Sequence, residues 1–191
     1  MDKKEYISLF SAADDAFNNA ILNRFSDQIE AYTMGYKEAA DILAKYVLQS
    51  QCFQDILIYP IIFLYRQYIE LRLKEIIQEG RNFLGDEGSY PKHHRLHHLW
   101  DTVKSIIMRI YNLSDEPNEF DLIGKLVSDF KKFDPDSSSF RYPAGRRGNK
   151  PLKEISYINI RQFVDVINEI SIFLEGVSSE ISVFIDHNHE R

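Results

Sequence analysis

A chain of 191 residues, 44% hydrophobic and 27% charged, is long enough to bury a substantial core and too apolar to be a disordered tract, so one domain over 1–191 is expected. A net charge of −6 argues against a general nucleic-acid coat protein. A single cysteine, Cys52, excludes an intrachain disulfide framework and a cysteine-built zinc site, and its apolar neighbours predict a buried thiol.

The opening MDKKEYISLF lacks the apolar run of a secretory signal, and no stretch reaches the roughly 18 apolar residues of a membrane span; the expectation is a cytoplasmic protein with no membrane partner. A first helix is expected around 5–24. SDQIEAYTMGYKEAADILAKYVLQS, 26–50, takes Ser26 as its cap and repeats apolar residues at helical spacing from Ile29 to Val47. These N-terminal helices, 1–50, precede a bundle core over 54–186. QDILIYPIIFLYRQYIELRLKEIIQEG, 54–80, is apolar nearly all round in its first half and amphipathic in its second, which predicts the central buried helix, with Gly80 as its stop. Pro60 either begins its main part or kinks it.

HRLHHLWDTVKSIIMRIYN, 94–112, and EFDLIGKLVSDFKKFD, 119–134, each place their large apolar residues on one face, and Asp134 with Pro135 ends the second. Residues 135–157 are turn-rich, and SFRYP within them reads as a short extended segment or hairpin arm. The last helix covers 159–185, with Gly176 as a possible break. The fold class is therefore all-α: an antiparallel helical bundle of five or six helices with one long loop near 135–155, of a length that tends to carry function.

The charge is unevenly spread. Residues 141–153 carry Arg141, Arg146, Arg147, Lys150 and Lys153 with no acid, and residues 92–109 carry Lys92, Arg95, Lys104 and Arg109 against Asp101 alone. Either island by itself reads as solvated surface; two islands flanking one site would weaken that reading.

Two polar constellations interrupt the apolar pattern. Arg66 and Glu70 are four apart on the central helix, so they share a face; they form either a part-exposed ion pair or a buried, hydrogen-bonded one. PKHHRLHHLW, 91–100, gathers His93, His94, His97 and His98. Helical spacing could supply two metal ligands from one turn, but the glutamate of an H-E-x-x-H helix is absent and lysine and arginine stand nearby, so no metal is assigned. Polar helix-start residues and a catalytic histidine remain the other readings. No nucleophile elbow, cysteine–histidine pair or phosphate-cradling glycine loop is present, and no cofactor is called for.

FLYRQYIELRLKEII (63–77), HRLHHLW (94–100) and FRYP (140–143), in that order, resemble a branch of the HEPN superfamily, small helical domains of prokaryotic toxins, phage-defence systems and nucleotidyltransferase partners. The resemblance covers roughly 60–175. It implies a dimerising helical bundle acting on RNA, in many relatives as a metal-independent endoribonuclease in which a histidine acts on the 2′-hydroxyl or leaving oxygen and arginine steadies the phosphate charge. By position it implies His94, Arg141, Glu70, Arg66 and Tyr142 as the catalytic set, with Arg146, Arg147, Lys150, His97 and His98 as RNA contacts. The family's usual signature, arginine then histidine after four to six residues, is absent. Either Arg141 and His94 are brought together by the fold, or the domain is a noncatalytic dimerisation or interaction module partnering a toxin or nucleotidyltransferase. A metal-binding bundle is the third reading.

Overall fold

A computed structural model describes residues 9–25, 28–145, 148 and 150–189. The described residues form five α-helices and no strand: α1 Gln28–Ser50, α2 Gln54–Leu84, α3 Leu96–Ile110, α4 Glu119–Phe133 and α5 Ile160–His189. The expected Ser26 cap lies outside the described residues. Of the helix expected near 5–24, residues 9–25 contain only a 3-10 turn, Ala16–Asn18. Phe10, Phe17, Ile21 and Leu22 stand exposed there, and a short helix with no surface to pack against is not stable in water.

The helix α2 is the centre of the molecule and packs against α1, α3 and α5. Its Ile61, Ile62, Tyr65, Tyr68, Ile69, Leu73, Ile76 and Ile77 are all buried, as the near-continuous apolar pattern requires. Pro60 lies inside the helix, past its first turn, where it removes one intrahelical hydrogen bond without ending α2. Small residues of α1, Ala40 and Ala44, let that helix lie close to α2. The link between them is three residues long, with Gln51 (φ 54°) and Phe53 (φ 63°) both left-handed. That tight turn leaves the Cys52 thiol exposed, contrary to the expectation from its apolar neighbours.

Gly80 does not end α2. A Cβ there would meet Ile106 Cγ2 at 2.3 Å, so its role is to let α3 approach. The stop is Gly85, left-handed at φ 70°, with the amide of Asp86 donating to the Arg81 carbonyl at 2.9 Å in a Schellman closure. The other glycine expected to interrupt a helix, Gly176, sits inside an unbroken α5 with open space around it. The Asn159 side chain caps α5, accepting from the Gln162 amide at 2.9 Å.

Contacts fix the helix directions. Asp41 meets Tyr65 and Lys37 lies over the Tyr68 ring, so α1 and α2 run oppositely. Arg66 reaches His94 and Gly80 abuts Ile106, so α3 runs the same way as α2. Tyr65 faces Phe163 while Glu79 reaches Ser178, so α5 does too. Neighbours are thus not uniformly antiparallel. The physical reason is the α2–α3 connection: Ser89 returns to Arg81, Tyr90 to Lys74 and His94 to Arg66, carrying the chain back along α2 before α3 begins.

Candidate functional site

The return segment of 85–95 and the end of α4 close over a polar stripe on α2. Arg66, Glu70 and Lys74 repeat every four residues and are all buried, Arg66 completely. Charges in such a place are costly unless each is paired and hydrogen-bonded, and here they are. Arg66 Nη1 donates to Glu70 Oε2 at 2.8 Å, and Nη2 donates to the His94 carbonyl at 2.7 Å. Arg66 Nε faces Asp134 Oδ2 at 3.2 Å, close enough to attract its charge but without hydrogen-bond alignment. Lys74 Nζ donates to Glu70 Oε1 at 2.8 Å and lies 5.7 Å from the centre of the Tyr90 ring.

Asp134 ties this network to the loop after α4. It is 1% exposed, and its Oδ1 accepts the Ser139 amide at 2.8 Å. Gln67, beside Arg66, donates to Ser137 Oγ at 2.6 Å. The next residues turn sharply: the amides of Arg141 and Tyr142 both donate to the Ser138 carbonyl at 3.1 Å. FRYP is therefore a turn rather than an extended arm, and the turn brings Arg141 and Tyr142 towards the start of α3.

His94 connects the buried network to the surface. Its Nδ1 is 2.7 Å from Glu70 Oε1, while its side chain is 63% exposed. Burial pushes the Glu70 carboxyl up, but hydrogen bonds from Lys74, Arg66 and His94, with the Lys74 charge, outweigh it and hold the group below its ordinary value. An ionised Glu70 only accepts, so the network assigns the His94 proton to Nδ1 and leaves Nε2 to exchange protons with whatever occupies the space outside.

That space is an open cleft of about 770 Å³ lined by His93, His94, Arg95, Asp136, Arg141 and Tyr142 among others. Of the residues expected at the site, His94, Arg141 and Tyr142 share this cleft, whereas Arg66 and Glu70 lie beneath it and are hydrogen-bonded to His94. The Arg141 guanidinium lies 5.3 Å from the Tyr142 ring centre and 5.5 Å from that of Phe63, and Arg141 has no ion-pair partner among the described residues. Lys150 lines an adjoining cleft. Arg146 and Arg147 lie outside the described residues.

His97 and His98 do not line the cleft. Their rings are 4.2 Å apart, and His98 is 5.5 Å from His93. Burial first, then the neighbouring His98, pushes the His93 and His97 imidazoles down, which disfavours their protonated forms. Among the described residues no group of three or more His, Cys, Asp or Glu is placed to hold a metal ion. No described helix is long and apolar enough to cross a membrane.

Two residues of the network were not singled out in the sequence. Lys74 continues the four-residue spacing of Arg66 and Glu70, so the same rule could have found it. Asp134 reads locally as a helix end before Pro135, and only the tertiary fold turns it inwards.

Compared with family models, curated proteins and solved structures, the chain matches none significantly. The site's own chemistry must therefore carry the functional reading.

Proposed function

We propose that the chain is a HEPN-like, RNA-directed protein of the toxin or phage-defence kind, and that this cleft is the active site of a metal-independent endoribonuclease. The observation that carries the reading is the 2.7 Å contact between an exposed histidine and a buried carboxylate, at the edge of a cleft shared with an arginine that has no ion-pair partner among the described residues. A carboxylate on Nδ1 fixes the imidazole tautomer and stabilises the imidazolium that forms when Nε2 takes a proton.

In this reaction Nε2 of His94 accepts the proton of an RNA 2′-hydroxyl. O2′ attacks the adjacent phosphorus, the bond from phosphorus to O5′ breaks, O5′ takes one proton from water, and the His94 imidazolium returns its proton to the hydroxide left behind. The products are a 2′,3′-cyclic phosphate and a 5′-hydroxyl. Arg141 stabilises the charge on the non-bridging oxygens, and Tyr142 borders the same space. Arg66, Lys74 and Asp134 are positioning residues: they hold Glu70 ionised and the His94 backbone in place. Arginine and histidine here come from separate segments, which accounts for the missing local signature.

The test is cleavage of mixed tRNA and single-stranded RNA in EDTA, with His94→Ala and Arg141→Ala proteins shown to be folded by circular dichroism. The wild type is expected to cleave and both variants to lose roughly two to four orders of magnitude. Cleavage retained by the folded His94→Ala protein would overturn the reading.

A noncatalytic interaction module is the second reading. It is favoured by Tyr32, Ile42 and Tyr46 on α1 and Ile56 on α2, large side chains left exposed on neighbouring helices. A folded wild type that turns over no RNA and sediments as a dimer would favour it.

A further inference from the structure

Resting on the ribonuclease reading, we infer that the adjoining cleft is a second subsite, which binds the nucleotide flanking the scissile phosphate and makes single-stranded RNA the substrate form. This cleft of about 510 Å³ is lined by Tyr59, Arg141, Tyr142, Lys150 and Lys153, among others, and none of its lining residues is acidic. The volume lies within the roughly 300–1,000 Å³ usual for small-ligand sites.

Two observations join it to the active-site cleft. Arg141 and Tyr142 line both, so a strand leaving one passes directly into the other. Lys150 and Lys153, like Arg141, have no ion-pair partner among the described residues, so the cleft presents three uncompensated positive charges in a protein whose net charge is −6. Cations left without counter-charges along a groove are what a phosphate backbone neutralises.

The aromatic residues supply the other half of single-strand recognition. The Arg141 guanidinium lies over the Tyr142 ring, which is 56% exposed, and Tyr59 is 47% exposed across the adjoining cleft. An exposed ring backed by a guanidinium offers a base a stacking surface that tolerates any sequence, and a base must be free of its own helix to use it. Two other cavities among the described residues lack this chemistry. The one between α1, α2 and α5 carries Glu30, Glu38, Asp41, Glu175 and other carboxylates, which repel phosphate, and the one beside α4 is largely apolar.

The experiment measures binding separately from cleavage. Fluorescence anisotropy in EDTA follows 2′-O-methyl oligouridylates of two and eight nucleotides, whose blocked 2′-oxygens cannot react. Wild type should bind the octamer more tightly than the dinucleotide. Lys150→Ala/Lys153→Ala should weaken octamer binding about tenfold and lower the slope of log affinity against log salt by about 1.4, since each phosphate left without its lysine removes about 0.7. Tyr142→Ala should weaken it roughly five- to hundredfold. Lys45→Ala, which removes a cation on α1, should change neither.

Octamer affinity and salt slope unaltered in the double-lysine variant would overturn the subsite. If RNA cleavage still required His94 in that case, the ribonuclease reading would stand alone. The expected binding pattern with no cleavage by wild type would leave the subsite in place and overturn the catalytic reading. No binding of either oligonucleotide would overturn both.

Discussion

Replacing Glu70 by glutamine tests the buried network with almost no change of shape. Two donors converge on Oε1, Lys74 Nζ at 2.8 Å and His94 Nδ1 at 2.7 Å, whereas Oε2 receives only Arg66 Nη1 at 2.8 Å. An amide has one acceptor oxygen, which it will keep towards Lys74 and His94, turning its NH2 onto the Arg66 donor. One charge-assisted hydrogen bond, about 1.5–3 kcal/mol, disappears. That loss is part of a larger one: Arg66 and Lys74 stay buried with the carboxylate between them gone, and breaking a buried pair in this way costs roughly 3–5 kcal/mol in all. The expected destabilisation is therefore about 3–5 kcal/mol, a large part of a typical total of about 5–15 kcal/mol. Urea unfolding followed by circular dichroism at pH 7 measures it.

The pH dependence gives an independent check on the same variant. Glu70 has its carboxyl lowered from an ordinary value of 4.5 in the folded protein, because the hydrogen bonds from Lys74, Arg66 and His94 outweigh the opposing effect of burial. A depressed carboxyl contributes stability that is fully present above the unfolded value and is lost as pH falls through the folded one. The gap between wild type and Glu70→Gln should then hold steady from neutrality down to about pH 5 and narrow below 4.5. A loss under about 1 kcal/mol at pH 7, or a gap that widens in acid, would refute the network as described.

Asp134→Ala removes the partner of Arg66 Nε and the acceptor of the Ser139 amide together, so it should cost about 3–5 kcal/mol. Combined with Arg66→Met the loss should be less than additive, which a double-mutant cycle in urea would measure. Gly80→Ala drives a methyl into Ile106 and should destabilise by about 1–3 kcal/mol, with partial recovery of the melting temperature in Gly80→Ala/Ile106→Leu, which removes the β-branch methyl that the new Cβ meets and keeps the side-chain volume. Glu70→Gln should also slow RNA cleavage by roughly two to four orders of magnitude while the RNA still binds, as single-turnover rates would show.

Periodicity made the helices legible. The stripes of α3 and α4 predicted their buried faces, and the apolar run around Tyr65 and Ile69 predicted a central α2. Arg66 and Glu70 stand out because two charges share a face of a helix flanked by Ile62, Leu64, Tyr65, Ile69, Leu71 and Leu73, which is a local pattern. Helix directions were not local: they depend on the 85–95 segment retracing α2, held by contacts to Arg81, Lys74 and Arg66. Gly80 reads locally as a stop because glycine ends helices, but its absent Cβ serves a neighbour distant in sequence. Asp134 was hidden for a similar reason, since an aspartate before a proline closes a helix whether it faces water or Arg66. By residue type His94 resembles His97 and His98; the family resemblance singles it out by position, and the structure adds what lies behind it, a buried carboxylate on another helix.

The most direct measurement uses a DNA oligonucleotide carrying a single ribose, incubated with the protein in EDTA and analysed by mass spectrometry. One cut is expected, on the 3′ side of that ribose, leaving a 2′,3′-cyclic phosphate and a 5′-hydroxyl, and no cut with folded His94→Ala. A chain left intact by wild type, a cut at a deoxynucleotide, or equal cleavage by His94→Ala would contradict the proposed reaction.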